Sequence, residues 1–184
     1  MEKQLSIKPN QISDQNVSVD YELIRDIYSN SISDNPNDLH AYLNRAVAYY
    51  NLKDYKAALA DYDSAIELNP GIAEYHYNHG VINYELENYA GLVADNTIAI
   101  KLNPKFAKAY TGRGTGEYLS GCFYKALADF SKAIDLDPSS GLAWFSRGVI
   151  KTQMGNKKAG EADFKHARDL NYHGMVQLYD GKWK

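Results

Sequence analysis

The pairs Asn35-Pro36, Asn69-Pro70, Asn103-Pro104 and Asp137-Pro138 recur every 34 residues. A chain written in units of that length is expected to stack supersecondary units in a line, because each unit is too small to bury its apolar face alone. The text between the prolines repeats as well: ALADYDSAIELNP at 58–70, LVADNTIAIKLNP at 92–104 and ALADFSKAIDLDP at 126–138, with a degenerate copy, GEADFKHARDLNY, at 160–172. A second phrase precedes each one, starting at Ala41, Glu74, Ala109 and Ala143.

Both phrases have helical periodicity. In 126–138, Ala126, Phe130, Ala133 and Ile134 fall at i, i+4, i+7 and i+8, which is one face of an α-helix. Small residues at Ala46, Gly80, Gly114 and Gly148 would let the first helix of each unit approach the second, where Ala58, Ala126 and Gly160 answer. The column Ala65, Ala99, Ala133 and Ala167 is unbroken, and a larger residue there should overpack by about 1–3 kcal/mol. Each proline stops the second helix, since proline disfavours helix in the residue before it.

From about Leu39 to Tyr172 these phrases resemble the tetratricopeptide repeat family, whose period is 34 residues. The resemblance implies an all-α, right-handed superhelical solenoid of helix-turn-helix repeats. The expected organisation is a polar, mobile tail at 1–18 and a half-repeat capping helix at 19–38. Four repeats would follow over 39–172 (39–72, 73–106, 107–140 and 141–172), with a capping segment at 173–184.

The totals narrow the function. A net charge of -3 and a pI near 5.9 give no basic field for a phosphate backbone, so neither nucleic acid nor a membrane surface is expected as a partner. No apolar run reaches the roughly 20 residues of a membrane-spanning helix, and the first residues lack a secretory signal. With a single cysteine, Cys122, the chain reads as cytoplasmic. No catalytic triad, glycine-rich phosphate loop or cysteine and histidine cluster stands out, so neither an enzyme nor a cofactor is expected.

A binding role follows from the resemblance. In the family, the first helices line a concave groove where partner peptides lie. Carried over by position, the groove residues are Asn44, Val47, Tyr50 and Asn51 in repeat one, and Tyr77, Asn78, Val81 and Tyr84 in repeat two. Lys108, Thr111 and Tyr118 continue the lining in repeat three, and Phe145 and Val149 in repeat four. His40, Leu43, Glu74, Glu85, Thr115, Leu119, Leu142, Ser146, Thr152 and Gln153 complete it. Aromatic rings among amides suit an extended chain held by apolar pockets and backbone hydrogen bonds. Asn44 and Asn78 read as two amide rungs, and the ladder stops at Gly112 and Ser146. The family's clamp for a C-terminal carboxylate is incomplete, because Leu43, Val47 and Gly112 replace its polar members. The main expectation is thus an adaptor, scaffold or chaperone-like module for an unidentified protein partner. A self-assembling homo-oligomer with no groove ligand is the alternative.

Other columns read as architecture. Arg45, His79, Arg113 and Arg147 lie 16 residues before Asp61, Asp95, Asp129 and Asp163 and should pair with them. His76 and His79 have a spacing that two metal ligands could use, but both fall in columns with structural explanations, so no metal is expected. In the column Tyr49, Asn83, Glu117 and Lys151, Asn83 is expected to bond Asn96, and Glu117 to pair with Lys151. Cys122 reads as a free, inert thiol in a turn.

Overall fold

The computed structural model describes residues 19–172; the tail expected at 1–18 and the cap expected at 173–184 lie outside them. The described residues form nine α-helices and no strand. α1 (Tyr21–Asp34) precedes four helix pairs: α2 (Leu39–Asn51) with α3 (Tyr55–Leu68), α4 (Ala73–Glu85) with α5 (Tyr89–Leu102), α6 (Ala107–Leu119) with α7 (Phe123–Leu136), and α8 (Gly141–Gln153) with α9 (Lys157–Asp169). Each helix packs on the next in the chain, which makes the molecule an all-α helical-repeat solenoid. α1 has 14 residues, like α3, α5 and α7, and it packs on α2 as a second helix packs on the following pair.

Local sequence explains both ends of these helices. Asp20, Asp38, Asp54, Asn88, Ser140 and Asn156 cap α1, α2, α3, α5, α8 and α9 by accepting a hydrogen bond from the backbone N–H three residues on, satisfying an amide that would otherwise have no partner. Each first helix ends in the same reversal. Lys53, Glu87, Gly121 and Gly155 take φ of 62°, 57°, 78° and 87°. The amide of the next residue reaches back to the carbonyl of Tyr49, Asn83, Glu117 or Lys151 at 2.7–2.9 Å, as in a Schellman end.

The Asn-Pro and Asp-Pro pairs do more than stop a helix. Asn35, Asn103 and Asp137 accept with their side chains from the amides of Asn37, Lys105 and Ser139, which closes an Asx turn around the proline. His76, Tyr110 and Trp144 then meet the carbonyls of Pro70, Pro104 and Pro138 at 3.1, 3.3 and 2.9 Å. These three turns are thereby tied to the helices that follow them.

The core is built on alanine. Ala46, Ala58, Ala65, Ala99, Ala126 and Ala133 are fully buried, with Phe130, Ile82 and Ile150 as the large side chains among them. Close helix approach is visible at the expected glycines: a Cβ on Gly114 would stand 3.3 Å from the Ala126 carbonyl, and one on Gly148 would stand 2.7 Å from the Phe164 ring. In the second pair, Leu92 takes the position of Ala58 and Ala126.

Candidate functional site

The 16-residue pairs form as expected. Arg45 grips Asp61 through two bonds of 2.8 and 2.6 Å, Arg113 grips Asp129 at 2.7 and 2.8 Å, and Arg147 grips Asp163 at 2.8 and 2.9 Å. Such bidentate, charge-assisted bonds fix both side chains. The same arginines lie against rings, with Arg147 4.7 Å from the centre of Trp144 and Arg113 5.7 Å from that of Tyr110. Arg45 and Arg147 also reach back at 3.3 Å to Ser29 and Ser131 on the preceding second helix. His79 does both tasks in the second pair, with Nδ1 2.8 Å from Asp95 and Nε2 3.2 Å from Asp63. Burial disfavours the imidazolium, yet the two carboxylates outweigh it and raise the pKa of His79 above the usual value. His76 and His79 therefore each have structural partners, and among the described residues no three His, Cys, Asp or Glu side chains converge as a metal site would require.

Two expected pairings are not made. Asn83 donates to Asp95 at 2.8 Å and accepts from Asn88, while Asn96 donates to the Leu92 carbonyl. Asn83 thus serves the buried carboxylate of Asp95. Lys151 lies 2.8 Å from Asp163 in its own pair, leaving Glu117 beside Asp129 with a buried oxygen that has no hydrogen-bond partner. Burial, with Asp129 next to it, raises the pKa of Glu117.

A cleft of about 450 Å³ opens on the face formed by the first helices. Tyr77, Val81 and Tyr84 of α4 form one wall, Lys108, Thr111 and Thr115 of α6 another, and Leu142 of α8 closes it. Seven residues expected in the groove therefore meet here: Tyr77, Val81, Tyr84, Lys108, Thr111, Thr115 and Leu142. Leu92, Gly112, Asp137 and Ser140 also line the cleft and were not expected there.

The cleft has a cause in residue volume. Where the first repeat junction has Tyr62 against Asn78, the second has Asn96 against Gly112; a Cβ on Gly112 would stand 2.6 Å from Asn96 Oδ1. Thr111, Gly112 and Thr115 stand where repeat four presents Phe145, Ser146 and Val149, so the floor of the groove drops at repeat three. Gly112 had the signal that could have found this step, as the one residue without a side chain in its column.

The other groove residues are distributed along the same helices. Val47 is exposed, and Asn44 and Asn51 donate back to the carbonyls of His40 and Val47 at 2.7 and 2.8 Å. Asn78 hydrogen-bonds Tyr62, a bond that opposes the upward push of burial on that phenol. Tyr50 donates to Glu85 across the first repeat junction at 3.0 Å, and burial together with that bond pushes its pKa up to about 12. Tyr118 accepts from Gln153 across the third junction at 2.9 Å. Phe145 packs against Phe164 and Tyr172, and Val149 is half-buried. Cys122 is exposed in the turn before α7.

Paired helices stacked in register, with a cleft on the face of the first helices, define a helical-repeat protein. The tetratricopeptide repeat family model matches residues 40–72, across α2 and α3, and the fold is the one that tetratricopeptide-repeat proteins share. Among similar solved structures is that of MamA, with a TM-score of 0.76 and 22% identity over 82% of this chain and 88% of that one. YrrB, described as "a TPR protein with an unusual peptide-binding site", has a TM-score of 0.71 and 20% identity over 86% and 81% of the two chains. The first TPR of Spaghetti (RPAP3), bound to the HSP90 peptide SRMEEVD, has a TM-score of 0.62 and 20% identity over 64% and 93%. At these identities the likeness is one of fold. No curated protein matches the chain in sequence.

Proposed function

We propose that this protein is a non-catalytic interaction module, acting as an adaptor, scaffold or chaperone-like protein in the cytoplasm, that binds an extended segment of a partner polypeptide in its concave groove. The observation that carries the reading is the cleft of about 450 Å³ shared by α4, α6 and α8. It is walled by rings and aliphatic side chains with a few polar atoms, the make-up of a site that takes side chains rather than performs chemistry. Two proteins of the same fold, YrrB and RPAP3, are described with a peptide site and a bound peptide, which supports this use of the groove. Leu43, Val47 and Gly112 favour recognition by shape over recognition of a terminal carboxylate.

Panning a displayed library of random peptides on the protein tests the reading. Enrichment is expected on the native chain and not on the triple variant Asn44→Ala, Val81→Ala, Tyr84→Ala, whose helical circular dichroism should match the native chain's. Equal enrichment on both would reject the groove.

The solenoid's first end favours a second reading. On α1, Leu23 and Ile27 are 56% and 53% exposed, and Ile27 stands in the column that elsewhere holds the paired aspartates. Self-association through this face would appear in light scattering as a mass that rises with concentration and falls to the monomer in Leu23→Lys, Ile27→Lys. A constant monomer mass would dismiss it.

A further inference from the structure

Three aromatic pairs stand along one rim of the groove at the repeat interval: Tyr50 with Tyr55, Tyr84 with Tyr89, and Tyr118 with Phe123. Their geometry is nearly constant, with ring centres 5.6, 6.3 and 5.7 Å apart and ring planes inclined at 57°, 51° and 51°. In each pair one ring comes from the last turn of a first helix and the other from the first turn of the second helix. The ladder ends there, because Thr152 and Lys157 occupy both positions in repeat four. Tyr50, Tyr55 and Tyr118 lie partly against the core, yet every pair keeps ring surface open to solvent: Tyr84 and Phe123 are 42% and 39% exposed, and the remaining four are half-buried.

We propose that this ladder is a recognition surface for a proline-rich segment in the polyproline II conformation, with one turn of the ligand per repeat. The proposal rests on the groove reading and specifies its ligand class. Successive first helices meet across the junctions, through the Tyr50–Glu85 and Tyr118–Gln153 bonds and the packing of α4 on α6, and helices in contact lie about 8–10 Å apart. A polyproline II helix advances about 9.3 Å per turn of three residues. Prolines at every third position would then meet successive ring pairs, as in other aromatic-lined grooves for such segments.

Hydrogen-bonding capacity points the same way. A polyproline II segment has no internal hydrogen bonds and, at each proline, no N–H, so it presents carbonyl acceptors in excess. The groove has donors to offer. Tyr118 accepts from Gln153, which leaves its own O–H to donate outward. In the repeat after Tyr84, Leu119 stands where the neighbouring junctions have Glu85 and Gln153, and its side chain has no acceptor to offer the Tyr84 hydroxyl. Lys108 adds an ammonium at the cleft. Thr111 and Thr115 already donate to the carbonyls of Ala107 and Thr111, so they neither supply nor demand a proton. The apolar cleft beside Tyr84 would take a side chain from between the prolines.

The full-length protein titrated with decaproline, followed by tyrosine fluorescence, provides the test. Saturable binding is expected, weakened about tenfold or more by Tyr84→Ala, as for a central aromatic anchor. Tyr84→Phe should weaken it less, and Tyr124→Ala, a 78% exposed ring outside the ladder, should leave it unchanged. An alanine-for-proline decapeptide binding equally well, or indifference to Tyr84→Ala, would overturn the proposal.

The displayed library separates this failure from that of the groove reading. Enriched sequences with proline at every third position would support the ladder. Groove-dependent enrichment without that periodicity would overturn the ladder and leave the groove, whereas enrichment independent of the groove residues would overturn both.

Discussion

His79 occupies the position that Arg45, Arg113 and Arg147 hold in the other pairs, and this makes one clamp titratable. Its folded pKa lies above the usual 6.5: burial opposes the charged form, but Asp95 and Asp63 outweigh it. A group whose pKa rises on folding contributes stability that is complete below the unfolded value and is lost as pH climbs through the folded one. Melting temperature should therefore fall between slightly acidic and slightly alkaline pH, and His79→Arg should flatten that fall. An equal slope in both proteins would show that the clamp does not act this way.

Arginine replacements should also rank unequally. Asp129 has Glu117 as its neighbour, whereas Asp163 keeps Lys151 at 2.8 Å. Arg113→Ala should cost about 3 kcal/mol, as expected when a buried pair loses one partner. Arg147→Ala should cost less, because Lys151 remains. Urea denaturation of both variants checks the order, and equal losses would contradict it.

At the scale of elements, each first helix needs a left-handed residue in its reversal, and only Gly121 and Gly155 are glycines; Lys53 and Glu87 hold φ of 62° and 57°. A side chain in that region costs about 1 kcal/mol or more, so Glu87→Gly should stabilise the second pair by up to about 1 kcal/mol, measured by thermal unfolding. A loss of stability would mean that the Glu87 side chain matters more than its backbone. The helices themselves were legible from the Asn-Pro punctuation and the alanine columns, since both are local rules repeated four times. The Arg–Asp pairs were legible because spacing and opposite charge suffice to match them. The partners of Asn83, Glu117 and Lys151 were not, since a polar side chain among several candidates chooses by distance and rotamer. The cleft fell between these cases. Its walls follow from position in the repeat, but its depth comes from Asn96 and Gly112 on neighbouring helices, and that contact exists only once the pairs are stacked.

As a whole, the molecule is a one-dimensional stack in which each helix meets mainly its chain neighbours, so binding along one face can span several repeats without a separate domain. The groove is not uniform along that stack. The first and third junctions are crossed by Tyr50–Glu85 and Tyr118–Gln153 bonds; at the second, Leu119 stands at the position of Glu85 and Gln153, and there the cleft opens beside Tyr84. A partner held in the groove should therefore make its deepest contact at the middle of the solenoid. The most direct test is amide chemical-shift mapping on the isotope-labelled full-length protein, titrated with a peptide selected from the library. The largest shifts are expected at Val81, Tyr84, Thr111 and Thr115 on α4 and α6. Shifts confined to α3, α5 and α7, with the first helices unmoved, would contradict binding in the groove.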